Sequence, residues 1–118
     1  MLAFFRGLLI PDAQERDAYA WLCNQAGHAA VVGVTAAILL LALGAPPLAV
    51  PIIVALIYGA GWEWAVQRSP AGDGLMDTAF VTAGAALITG ALAEGLATAA
   101  AVQGIWLALL LIGVWRRV

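Results

Sequence analysis

AAVVGVTAAILLLALGAPPLAVPIIVALIYGAGW, residues 29 to 62, contains no Asp, Glu, Lys, Arg or His, and it decides the fold. A spanning helix needs roughly 20 consecutive apolar residues, so a run of this length supplies parts of two spans. Gly44-Ala45-Pro46-Pro47 divides it, because paired prolines remove two backbone donors and cannot continue a helix. The stretch therefore reads as the end of one membrane span, a tight turn, and most of a second.

Working outward, the second half of the chain repeats the arrangement. Residues 95 to 115 form another uncharged run, and SPAGDG at residues 69 to 74 carries the Pro and Gly punctuation of a turn. The spans fall at about 27–45, 49–68, 75–93 and 96–115, with Glu94-Gly95 as the last short turn. Short connections make consecutive helices antiparallel neighbours. The expected fold is an all-α integral membrane protein, an antiparallel bundle of four transmembrane helices. Composition agrees: of 118 residues 64% are hydrophobic and only 10% charged, with a mean hydropathy of +0.99, well outside soluble norms.

Residues 1–26 read as a separate interfacial segment preceding the domain at 27–118. Asp12 is placed to cap an amphipathic helix, with Glu15 completing a capping box. Tyr19, Leu22 and Cys23 share one of its faces, and Tyr19 and Trp21 would anchor it at the membrane surface. The start, MLAFFRGLLI, has neither the basic region nor the cleavage site of a signal peptide. Cys23 is the single cysteine, so no internal disulfide forms, and it reads as a packed thiol.

Orientation follows from the arginines. Four spans put Arg6, Arg16, Arg68, Arg116 and Arg117 on one side and none on the other. The positive-inside rule makes that side cytoplasmic, with both termini there, in a bacterial inner membrane. There is no lysine, and the net charge of −2 excludes a phosphate-neutralising nucleic-acid partner. The expected partner is the lipid bilayer, together with a homo-oligomer or a membrane-protein partner packed through small residues. Gly33/Ala37, Ala55/Gly59, Ala79/Ala83 and Ala86/Gly90 are each four apart and would let helices approach closely.

The chemistry concentrates near the cytoplasmic ends. Glu63 lies about 7.5 Å inside Arg68 at roughly 1.5 Å per residue, while Asp73 and Asp77 open the third span and His28 the first. Asn24/His28, Glu63/Gln67 and Asp73/Asp77 are each four apart, one pair per helix face. Carboxylates gathered in low dielectric require a partner cation, a metal or a shared proton. His28 and Arg68 are the cations at hand. His28, Glu63 and Asp77 could also supply one nitrogen and several oxygens to a divalent metal. The bland readings are a solvated cap for Asp73, a first-turn acid for Asp77, an interfacial His28, and hydrogen-bonding support from Gln67 and Asn24. Trp62, Trp64 and Trp115 fit an aromatic belt, and Gln103 is placed to join helices by a hydrogen bond. No nucleotide-binding, CxxC or HExxH motif is present, so no catalytic residue is assigned and an enzymatic role is disfavoured.

Glu63, Gln67, Arg68, Asp77 and Gly84 form a pattern that resembles the VanZ-like family of small bacterial membrane proteins, over about residues 58–90. The resemblance implies a cell-envelope role without specifying a reaction. The matching depth of His28, Glu63, Asp73 and Asp77 favours a polar pocket at the cytoplasmic leaflet formed by His28, Glu63, Gln67, Arg68, Asp73 and Asp77, holding a lipid headgroup, a polar ligand or a metal. The competing readings are a holin-like phage lysis protein and an accessory subunit of a larger membrane complex.

Overall fold

A computed structural model describes residues 17–118 as an all-helical bundle. Its four helices are α1 (Ala18–Ala42), α2 (Pro47–Gln67), α3 (Ala71–Ala93) and α4 (Leu96–Trp115), each long and apolar enough to cross a membrane. The turns are Gly44 with φ 86°, Arg68 with φ 56° and Gly95 with φ 90°. At Gly44 and Gly95 the left-handed backbone that ends a helix costs nothing. Pro47 follows in the first turn of α2, where a missing N–H is no loss.

The first helix differs from expectation. Asp12 and Glu15 lie outside the described residues, but Asp17 caps α1, its carboxylate accepting from the Ala20 amide at 2.7 Å. From there the helix runs unbroken to Ala42, so residues 18 to 26 are its opening turns and no boundary falls at 27. Trp21 is accordingly no surface anchor. It is 6% exposed, its ring filling the space above Gly113 on α4. Phe80 meets it edge-on at 6.0 Å, and the Arg117 guanidinium carbon lies 4.2 Å from the ring centre. Tyr19 and Cys23 face outward, correcting the expectation of a packed thiol.

Five buried residues of α1, Trp21, Gln25, Ala29, Gly33 and Ala37, recur every four positions. In an α-helix with 3.6 residues per turn that seam would drift around the axis. A wider π-helical turn over His28–Gly33 takes up the drift so that, with Trp21 reaching α4, the seam from Gln25 onward faces one neighbour. That neighbour is α3, which runs parallel to α1 and packs against all three other helices. Gly33 lies against the backbone of Val81 and Ala85, and Gly84 against that of Ala29. Of the expected small-residue positions, Gly59 meets the Thr78 side chain and Gly90 that of Thr98, whereas Ala79 faces outward.

Two apolar clusters fill the bundle. Ala37, Val50, Val54, Val81 and Ala85 join α1, α2 and α3, and Trp21, Ala29, Phe80 and Leu110 join α1, α3 and α4. The outside is equally apolar: Leu39, Leu43, Ile52, Leu56, Ile57, Leu92, Leu96, Ile105 and Leu111 are each more than half exposed. So large an exposed apolar surface suits lipid rather than water. Gln103 serves a different purpose from the one expected, accepting from the Trp106 indole N–H at 2.9 Å within α4.

Candidate functional site

Polar side chains from α1, α2 and α3 meet one to two turns inside the arginine-bearing end of the bundle. Asp77, 5% exposed on α3, receives a 2.7 Å hydrogen bond from the Gln25 side-chain amide. His28 Nδ1 lies 3.4 Å from the same carboxylate oxygen, an ion pair whenever the imidazole is protonated. His28 also meets the Tyr58 ring edge-on, with centroids 5.8 Å apart. Gln25, His28 and Tyr58 thus bracket Asp77 from two helices.

Glu63 occupies the α2–α3 side of the same interior and is 3% exposed. It reaches there through an unusual backbone, since α2 continues from Leu56 to Gln67 as a π-helix, where single turns are the norm. In an α-helix Tyr58 and Glu63, five apart, would diverge; hydrogen bonds from i to i+5 bring both onto one face. The π segment ends at Arg68, and the amides of Arg68 and Ser69 both donate to the Glu63 carbonyl. Opposite stands Gly74 of α3. A Cβ there would lie 3.2 Å from both Glu63 Cβ and Oε2 and 3.4 Å from Ser69 Cβ. Gly74 therefore makes room for the buried acid.

The Tyr58 hydroxyl lies beside the Glu63 carboxylate and within electrostatic reach of Asp77 and Asp73. That hydroxyl is the one side-chain donor beside the Glu63 carboxylate among the described residues, held outside close hydrogen-bonding geometry, and Glu63 makes no ion pair among them. Burying a carboxylate without compensation costs several kcal/mol or more. With the Tyr58 hydroxyl as its polar neighbour and no ion pair, Glu63 has room in its bonding for a further donor, a proton or a cation.

Of the expected residues, His28, Glu63 and Asp77 are drawn into one interior. Asp73 is half-buried in the first turn of α3, where the helix dipole favours an acid. Arg68 does not neutralise Glu63: it is exposed and lines an open groove of about 580 Å³ with Trp64, Ala65 and Ser69. Gln67 and Asn24 are half-buried and make no side-chain hydrogen bond among the described residues. Among those residues no three of His, Cys, Asp and Glu are grouped as metal ligands. Gln25, Tyr58 and Ser69 escaped the sequence reading. Gln25 sits four after Trp21 and four before Ala29, the signal that would have found it; Tyr58 could be found only by assuming the π register.

The arrangement can hold positive charge in a dry site and exchange protons or hydrogen bonds across three helices. Comparison of the chain with family models, characterised proteins and solved structures finds no match.

Proposed function

We propose that this chain is a multi-pass protein of the bacterial cytoplasmic membrane whose buried acidic site takes up a cation-bearing polar ligand at the cytoplasmic leaflet. The observation that carries the reading is Glu63, 3% exposed, with the Tyr58 hydroxyl as its polar neighbour and no ion pair among the described residues. Ionisable groups inside spans mark binding sites and ion pathways. Polar groups at this density do not continue through the other half of the bundle, where Ala37, Val50, Val54, Val81 and Ala85 form an apolar plug. A binding site therefore fits better than a conduit. Orientation draws on Arg68, Arg116 and Arg117 at one end, against Glu94 alone at the other.

The VanZ-like resemblance supplies a cell-envelope context, and two of the residues that carry it, Glu63 and Asp77, are the two buried acids. Holin-like and accessory-subunit roles use the same apolar exterior but have no need of a buried carboxylate. Purified protein in detergent tests the reading: Mg²⁺, Ca²⁺ or ethanolamine is titrated while thermal unfolding is followed by tryptophan fluorescence. At least one cation is expected to raise the midpoint in wild type and to lose that effect in Glu63→Gln. Identical responses in both proteins would remove the basis for the site.

A further inference from the structure

The groove beside Arg68 and the acid behind it share a wall. Arg68 is exposed at the end of α2, in a left-handed conformation that a non-glycine residue seldom adopts. Ser69 lines the same groove, and its hydroxyl is buried without a hydrogen-bond partner. Ser69 and Glu63 both pack over Gly74, so the residue that walls the groove also borders the acid. Trp64, 78% exposed, forms the outer side, with the amphipathic character suited to the headgroup level of a bilayer.

From this juxtaposition we infer that the site takes a primary aminoalkyl phosphate, the headgroup chemistry of an ethanolamine phospholipid. Its phosphate lies on the Arg68 guanidinium and its ammonium turns inward past Ser69 to Glu63. This deepens, and rests on, the reading of Glu63 as a cation site. Guanidinium suits phosphate through paired N–H donors. A primary ammonium offers three donors to the Glu63 carboxylate, which otherwise has the Tyr58 hydroxyl beside it, and to the buried Ser69 hydroxyl. A quaternary ammonium has no N–H and cannot satisfy them. A purely anionic headgroup would engage Arg68 and leave Glu63 as it is. The site thus selects by the second charge, not the first.

The test places the protein in nanodiscs of phosphatidylglycerol alone, or with phosphatidylethanolamine or phosphatidylcholine added, and follows thermal unfolding; soluble phosphoethanolamine in detergent is a parallel arm. Phosphatidylethanolamine is expected to raise the midpoint by several degrees over the other two compositions. Glu63→Gln should abolish the rise, as should Arg68→Gly, which removes the guanidinium while relieving the left-handed backbone. Arg116→Ala, at an exposed residue away from the groove, should retain it. A response to soluble phosphoethanolamine without one to the lipid assigns the same chemistry to a soluble ligand. Indistinguishable midpoints in all three lipids with no response to phosphoethanolamine, or a rise that survives Glu63→Gln, overturns the inference. A Glu63-dependent response to Mg²⁺ alone would overturn it while leaving the cation site standing.

Discussion

Gln25 and Glu63 show how differently two buried polar groups can be served. Gln25 holds Asp77 at 2.7 Å in a buried contact, so Gln25→Ala leaves that carboxylate short of a donor. Loss of a partner to a buried group costs about 1–3 kcal/mol. Denaturation of the wild type, Gln25→Ala, Asp77→Asn and the double variant should return a coupling energy well above zero. Glu63 has the Tyr58 hydroxyl beside it but no ion pair, and its replacement should act in the opposite sense. Glu63→Gln puts a group that cannot ionise where a charge is costly, so ligand-free protein in detergent should unfold at a higher temperature than wild type. Activity or ligand response would fall as stability rises, a pattern that a purely structural acid does not give.

The helices are held by close backbone approach more than by large side chains. Gly84→Ala would drive a methyl group into the Ala29 backbone, and Gly33→Ala into that of Val81. Each should cost about 1–3 kcal/mol or more by overpacking, read as a lowered unfolding midpoint. Gly61 has open space where a Cβ would go, so Gly61→Ala should be neutral or stabilising by up to ~1 kcal/mol through helix propensity. Deleting Gly61 is a different matter: it removes the extra residue that the π register accommodates between Tyr58 and Glu63. The bundle should persist while the Glu63-dependent ligand response disappears. These elements also mark the limit of legibility. The spans could be read because uncharged runs and the Pro46-Pro47 break act locally, through the cost of backbone and charge in lipid. The face of α1 could not. Asn24 and His28 share a four-residue spacing, and so do Trp21, Gln25 and Ala29; only packing against Gly84, through a π turn, selects the second set. Glu63 was legible as an ionisable group in a span and Arg68 as one of two cations at hand, but Arg68 stands exposed in left-handed backbone and lines the outer groove.

At the scale of the whole molecule, the charge asymmetry makes a claim about sidedness. Cys23 is exposed near the start of α1, the end that meets Arg117, and Leu43 is exposed at the opposite end. In intact spheroplasts a membrane-impermeant maleimide should label Leu43→Cys in a Cys23→Ser background and leave wild-type Cys23 untouched. The reverse pattern would place the arginines outside and with them the acidic site. The same asymmetry explains why the overall architecture was more legible than the site. Topology depends on sums of hydropathy and charge, whereas a site depends on the rotation of individual helices.

The socket of Trp21 adds a constraint in time. Its floor is Gly113 and its lid Arg117, both near the far end of the chain. At ~5–20 residues per second, synthesis reaches them on the order of ten seconds after Trp21 has emerged. Through that interval α1 can pack on α3 once Phe80 and Gly84 arrive, but its indole still lacks floor and lid. The early helices can pair as they are made, whereas the N-terminal clasp closes only after α4 is complete. A ribosome stalled within α4 should therefore leave Trp21 open to quenching by brominated lipid.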